Sequence, residues 1–501
     1  MKSMKTRILA ALLSALLLFM AACADSSENK PESKPGADQG ESEVSGEVAE
    51  GETERIYPDL VPVDFGGYEF TFLTRAANVP GWYSWEHRDI TAEEMNGDVM
   101  NDAVYVRNRK IEDKYNIKIN NVVAAFDQMT SKITQNVKSG DDIYDAVCMH
   151  LITFPALAQN GSFVDLFSVP HIDLTKPWWN QGTVRDLSII HKLFVMQGDL
   201  LIMDNDAMEA MIFNKKLIKD YSLESPYELV KNGDWTFGKL IEMMKVVSKD
   251  LNGDGQMVAE DDLFGCLVQA DTDMTFLISG GEKICAKDPD DYPVITFGSE
   301  RCYRILSAVS ELNLDGDNVV NLHRIKDAKG PEVQVQMMEE NRALFSWIRM
   351  RTVEELRGMD ADFGIIPCPK LEKAQPGYIT HNNPHTGVGI SVLNVASDLE
   401  RTGMILEDLC AESRYTLQPA YYEINLRGKY ARDDESQEML DIILNNTAHD
   451  IGYVYNFGGF GLTMIYFGMN KKTDYASTFE KSEQKMLKDI EKTIAAYENL
   501  G

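Results

Sequence analysis

Two groups of residues have the types and spacing to do chemistry. In "DLNGDGQMVAED", Asp250, Asn252 and Asp254 stand at positions 1, 3 and 5 of a calcium-loop pattern, Gly255 at position 6 and the Gln256 carbonyl at position 7. A hard divalent cation takes about six to eight oxygens, and this spacing wraps a short turn around one ion. Asp261 stands at position 12, where the pattern usually has a longer Glu with two ligating oxygens. The segment that follows, "DLFGCLV", reads as a strand, so this is not half of a paired-helix sensor. Two readings stay open: a structural Ca²⁺ site and an empty Asx-rich turn.

The second group is aromatic. "GWYSWEHRD" gathers Trp82, Tyr83 and Trp85, and "KPWWNQG" gathers Trp178 and Trp179. Such rings offer flat apolar faces, either to a core or to a ligand with faces of its own. His150 ends the strand-like "DAVCMH". There is no GxxxxGK[ST], GxSxG, HExxH or CxxC, and the SxxK at Ser27–Lys30 lies in a polar tail. ATP hydrolysis and the common nucleophile and zinc chemistries therefore have no motif here.

At the amino end, Lys2, Lys5 and Arg7 precede an uncharged run from Ile8 to Ala22. That run falls short of the roughly 20 residues a membrane-crossing helix needs, and has the shape of an export signal. Ala21-Ala22-Cys23 is the break a lipoprotein signal peptidase cuts, with Met20 where Leu is usual. This makes Cys23 the lipidation site and residues 1–22 the signal. A secretory signal that happens to contain a Cys is the alternative. Residues 24–54 hold ten acidic residues against Lys30 and Lys34 and no aromatic. Such a chain cannot bury enough apolar surface to offset its ordering entropy. Residues 23–55 thus read as a disordered acidic tether to the outer face of the cytoplasmic membrane.

The formal charge is −30, and loss of the three basic signal residues takes it to −33. A chain so acidic has no basic footprint for nucleic acid. Cys148, Cys266, Cys285, Cys302, Cys368 and Cys410 form no pairs by spacing, and buried thiols are as good a reading as disulfides.

From residue 67, strand and helix patterns alternate. "GYEFTFL" has period two, "NGDVMNDAVYVRNRKIEDKYN" places Met100, Val104, Ile111 and Tyr115 on one helical stripe, and "YNIKINNVV" is extended again. "HKLFVMQGDLL" and "EAMIFNKKLI" read as strands, the second entering a helix at its lysines. "WTFGKLIEMMKVVSKD" reads as a helix capped by Thr236, and "YASTFEKSEQKMLKDIEKTIAAYEN" as a charged surface helix. The order implies sheets covered by helices, an α/β fold.

In this order the segments resemble a known group. "NDAVYVRNRKIEDKYNIKI", "DDIYDAVCMHLITFPALAQNGSFVDL", "AMIFNKKLIKDYSLESP", "GDWTFGKLIEM", "MEENRALFSW" and "DFGIIPCPK" are similar, in sequence and spacing, to successive segments of family 1 extracellular solute-binding lipoproteins. These serve carbohydrate ABC importers and are relatives of the maltose-binding protein. The resemblance implies a two-lobed periplasmic-binding-protein-like fold with crossing hinge strands and a central cleft. It puts lobe 1 at 56–198 with 367–418 and lobe 2 at 199–366 with 419–501. It further implies a monomer that binds a carbohydrate, partners ABC permease subunits with a separate ATPase, and performs no catalysis. A lipid-anchored glycoside hydrolase and a peptide-binding protein are the alternatives.

Carried over by position, the cleft residues would be Trp82, Tyr83 and Trp85, His150, one of Trp178 and Trp179, and Asp204 and Asp206 in "IMDNDAME". Trp347 and Arg349 of "LFSWIRM" would join them, as would Tyr421 near the last crossing. Sugars present C–H faces and hydroxyls, so aromatic platforms beside carboxylates suit them. For each residue the structural use competes: a packed ring, a solvated acidic turn, a satisfied histidine.

Overall fold

The alternation in "GYEFTFL" becomes β1 (Tyr68–Arg75) in the computed structural model, which describes residues 55–76, 87–356, 362–426 and 434–500. Phe70, Phe72 and Leu73 are buried in the core. β1 pairs in parallel with β2 (Ile117–Ala124), Tyr68 opposite Ile117 and Arg75 opposite Ala124, and on its other side with β3 (Ala146–His150). Parallel strands need a crossover, supplied by the helix Val99–Tyr115. Asp98 starts that helix by accepting from the N–H groups of Met100 and Asn101, and Asn116, at φ 48°, ends it in the left-handed region that Asn tolerates.

The second sheet is built from later segments. β4 (Glu209–Asn214) and β5 (Phe264–Val268) come first. A separate hairpin of β6 (Cys285–Lys287) and β7 (Pro293–Ile295) interrupts, before β8 (Val319–Asn321), β9 (Ala343–Arg349) and β10 (Phe363–Pro367). The order is β10-β4-β9-β5-β8. β4, β5 and β10 are buried at every position, as strands covered on both faces should be. The chain then returns through β11 (Thr380–His381) to β12 (Val388–Ser391), which closes the first sheet as β12-β3-β1-β2. β13 (Thr447–Ala448) pairs with β11. Two helix-covered sheets, parallel and antiparallel strands mixed, are the expected α/β architecture. Thr236 does cap its helix, accepting from the Lys239 N–H.

The segment entering β4 and the one leading to β12 run side by side between the sheets. Met208 bridges Asn382, the Asn383 N–H donates to the Ala207 carbonyl at 3.2 Å, and Asn382 Nδ2 donates to the Asp204 carbonyl at 2.8 Å.

One expectation needs correction. "HKLFVMQGDLL" is not a strand: Ile190 and His191 turn at φ 47° and 60°, and beyond them only isolated bridges form, such as Met196 with Ile390. Leu417, Ala420, Tyr421 and Ile424 of the helix Leu417–Leu426 pack with Met100, Val104 and Ile202, so this helix rests on the first-sheet crossover. The next helix, Asp434–Asn445, buries Leu440 and Ile443 with Ala210 and Ile365 of the second sheet. The cysteines among the described residues are buried thiols.

Candidate ligand-binding site

Strand ends position the site. β1 ends at Arg75 and β3 at His150, on the carboxyl edge of the first sheet, where ligands gather in open α/β folds. The turn carrying His385 enters β12 beside them, with Val388 opposite His150. His87 Nδ1 lies 3.1 Å from Asp89 Oδ1, and Asp89 Oδ2 accepts from the Ile202 N–H at 2.7 Å.

The second sheet contributes a buried charge network. Arg349, ending β9, pairs through Nη2 with Asp271, and its Nε lies 3.7 Å from Glu209 Oε1 at the start of β4. Asn383 Nδ2, from the crossing segment, donates to Asp271 Oδ2 at 2.6 Å and to Glu209 Oε1 at 2.7 Å. His381 Nδ1 is 3.0 Å from Glu209 Oε2. Tyr453 brings its ring within 5.7 Å of His381 and 5.4 Å of His385. Burial, the largest single influence, opposes ionisation of Asp271, but Arg349, His323 and the hydrogen bond from Asn383 together hold the carboxyl below its ordinary value. Burial drives His150 well below the ordinary imidazole value, with Arg75, His385 and His87 adding to it. Burial likewise takes His385 down to about 4. Both rings are neutral near pH 7, each with one donor and one acceptor nitrogen.

The decisive feature is what these groups leave unused. Arg75 Nε and Nη2, His87 Nε2, both nitrogens of His150, His381 Nε2, Gln269 Oε1, Asp271 Oδ1, Trp347 Nε1 and the Tyr453 hydroxyl are buried with no hydrogen-bond partner among the described residues. Buried polar atoms are nearly always satisfied, because an unsatisfied one costs about 1–3 kcal/mol. Such a concentration, donors and acceptors mixed, suits a ligand rich in hydroxyls. Beside His385 and Tyr453 opens a cavity of about 520 Å³, also lined by Ile152, Pro155, Tyr455 and Lys492. That is within the usual range for small-ligand sites. In another cavity of about 590 Å³, Lys283 and Lys287 are already paired with Asp186 and Asp291.

His150 and Arg349 therefore stand in this cluster. Trp347 lies beneath it, fully buried, with the Arg349 guanidinium 5.2 Å from its ring centroid and its indole N–H unpartnered. It is a floor under the charge network, where an open stacking platform was expected. Asp206 joins a neighbouring group: Arg88 Nη2 is 3.5 Å from Asp206 and 2.6 Å from Glu354. Burial pushes the Asp206 carboxyl up to about 6, partly offset by Arg88 and by a hydrogen bond from Tyr421. Asp204 is buried and turned into its own backbone, accepting from the Asn205 N–H at 2.7 Å. Tyr421 is buried in the core between two helices.

Trp178 and Trp179 both prove structural. Neither faces a cleft, because both indoles are buried and donate to one carboxylate, Glu407, at 3.1 and 2.8 Å. Trp82, Tyr83, Trp85 and Cys23 lie outside the described residues.

In the loop 250–261, Asp250 accepts from the N–H groups of Gly253 and Gly255, Asn252 from Asp254, and Asp254 from Gln256. Gly253 and Gly255 sit at φ 76° and 78°, so the backbone wraps as such a loop requires. The carboxylates do not converge: among the described residues no three His, Cys, Asp or Glu side chains are grouped to share an ion.

Sequence reading missed Arg75, His87, Glu209, Asp271, His381, Asn383, His385 and Tyr453. One signal was available: "THNNPHTG" puts two of the chain's eight histidines within five residues, between amides. The others are single residues in ordinary strand and helix patterns.

In fold, the two helix-covered sheets resemble two-lobed periplasmic-binding-protein-like α/β proteins. A sugar transporter of Rhizobium etli in an open conformation is similar at TM-score 0.54 and 10% identity, over 85% of this chain and 99% of that one. A cyclo/maltodextrin-binding protein complexed with maltotetraose gives 0.53 and 12%, over 86% and 99%. An ABC substrate-binding protein of Listeria monocytogenes in complex with cycloalternan gives 0.50 and 14%, over 85% and 98%. At these identities the likeness is one of fold. No protein-family model matches the sequence, and no curated protein matches it.

Proposed function

We propose that this chain is the substrate-binding component of an ABC importer, taking up a carbohydrate, of oligosaccharide size, between two closing lobes for a permease with a separate ATPase. The carrying observation is the cluster of buried, unpartnered donors and acceptors where the carboxyl edge of the first sheet meets the Arg349 network. Hydroxyls would satisfy these atoms, and contacts to both sides would favour the closed state. The solved structures of this fold that hold maltotetraose and cycloalternan support the same reading. Asp271 is held ionised by Arg349, the opposite of a proton donor, which argues against a hydrolase built on the Asp271–Glu209 pair.

The test is melting of the chain with a panel of mono- and oligosaccharides and of peptides, with product analysis on the same samples. A saturable rise in Tm with intact saccharide is expected, since a ligand at a hundredfold its Kd adds about 2.7 kcal/mol. Cleaved saccharide would promote the hydrolase. A rise with peptides alone would move the ligand class.

Two subsidiary readings complete the proposal. Cys23 carries the lipid, so Cys23→Ser should move the exported chain from the membrane fraction to the medium; unchanged fractionation would count against the anchor. Among the described residues no helix is long and apolar enough to cross a membrane. The loop 250–261 takes a structural Ca²⁺ by drawing its carboxylates together. A Tm lowered by EDTA and restored by Ca²⁺ is expected, and no change would leave the loop an Asx-rich turn.

A further inference from the structure

We propose that the first-sheet side of the cleft is a subsite for an anionic substituent on the saccharide, a carboxylate or a sulfate ester, held by Arg75 together with His87 and His150. The inference rests on the carbohydrate-binding reading above and narrows it to acidic glycans.

Register brings Arg75 and His150 to one sheet edge. Leu73 of β1 lies opposite Val147 of β3, so the two strands finish at Arg75 and His150 on one edge. All three side chains are more than nine-tenths buried: Arg75 is 3% exposed, His150 6%, and the His87 side chain 2%. Arg75 and His87 stand near enough to His150 to depress its protonation.

Arg75 differs from every other arginine of the cleft. Arg349 has Asp271 and Glu209, Arg88 has Asp206 and Glu354, and Arg351 has Glu354. Arg75 Nε and Nη2 have no partner among the described residues. The one carboxylate whose charge reaches it, Asp89, spends Oδ1 on His87 and Oδ2 on the N–H of Ile202. Burial brings the guanidinium down to about 10, which leaves it cationic at neutral pH. A buried charge without a counterion is costly, so the site is built for one that arrives. The planar fork of a guanidinium matches the paired oxygens of a carboxylate or sulfate. His150, neutral and also unpartnered, can donate one ring N–H to a remaining oxygen, and His87, whose Nδ1 faces Asp89, can donate from Nε2 as the imidazolium. Phe126 stands beside them, 42% exposed with its ring 5.3 Å from His150, an apolar face for the sugar ring that carries the anion.

The test titrates the full chain with matched pairs in which only the charge changes. One pair is tetragalacturonate and its methyl ester; the other is a sulfated carrageenan tetrasaccharide and its desulfated form. The acidic member of one pair should bind about 10- to 100-fold more tightly, as expected for charge-assisted hydrogen bonds in a buried site. The pair that responds identifies carboxylate or sulfate. Arg75→Gln should bring the acidic member down to the affinity of its neutral counterpart. His150→Gln, which keeps a donor, should reduce the preference in part. Melting of each unliganded variant checks that it folds. Equal affinities within both pairs, or a full preference retained by the folded variants, would overturn the subsite. If neutral saccharides still bound, the carbohydrate-binding reading would survive that result; binding of no saccharide would remove both.

Discussion

Replacing Glu407 with alanine should cost the fold about 2–6 kcal/mol, because two buried indole donors lose their acceptor at about 1–3 kcal/mol each. Trp178 and Trp179 are core side chains, and the Glu407 carboxylate is the only acceptor their N–H groups have among the described residues. Chemical denaturation would show a lower midpoint with a similar slope; a variant within about 0.5 kcal/mol of the parent would count against the arrangement. Glu407→Gln should fall between, since an amide accepts from one indole and sets its own donor against the other.

The effect should depend on pH. Burial raises the Glu407 carboxyl from its ordinary 4.5 to about 7, the hydrogen bonds from Trp179 and Trp178 working against the rise. With the folded value above the unfolded one, the native state holds the extra proton between about pH 4.5 and 7, and this contribution to stability declines as pH rises through that window. The gap between parent and Glu407→Gln should therefore be wider at pH 5.5 than at pH 8. A gap that widened toward pH 8 would mean the carboxylate is stabilised, not strained, by its site.

The second large effect belongs to Arg349. Arg349→Met leaves Asp271 and Glu209 buried without their cation, a change that costs about 3–5 kcal/mol when one partner of a buried pair is removed. It also frees Asp271 from the charge that holds it ionised, and unmakes the network that Asn383 ties to the crossing segment. Saccharide affinity should fall about 30-fold or more, the usual consequence of truncating a buried, hydrogen-bonded charge at an interface. Arg349→Lys keeps the charge but loses the fork that reaches two carboxylates, so it should recover part of the stability and less of the affinity. Melting and saccharide titration on the three proteins check both. Parent-like affinity in a folded Arg349→Met would remove the network from the site.

Local patterns accounted for much of the architecture. Alternation in "GYEFTFL", the stripe through Met100, Val104 and Ile111, and the cap at Thr236 are set by neighbours within one or two turns, so they could be read directly. "HKLFVMQGDLL" failed because its apolar residues serve a segment that only touches β12 at one bridge; apolar content alone does not make a ladder. Aromatic type was a poor guide to the cleft. Whether Trp178 and Trp179 face a ligand or a core depends on a partner far along the chain, Glu407, 229 and 228 residues away.

What the sequence by itself determined is the α/β alternation, its helix caps, and the resemblance from which a carbohydrate-binding reading followed. Local propensity and periodicity carry that information along the chain. What only the tertiary structure decided is the site. Arg75, His150, Asp271, Arg349, Asn383 and Tyr453 come from strand ends, a helix start and a crossing segment, and are brought together by pairing between distant strands. The unpaired atoms of Arg75, His150, Asp271, Arg349 and Tyr453 became visible only once every nearby donor and acceptor had been assigned, because hydrogen-bond satisfaction is a property of the folded neighbourhood and not of any one residue.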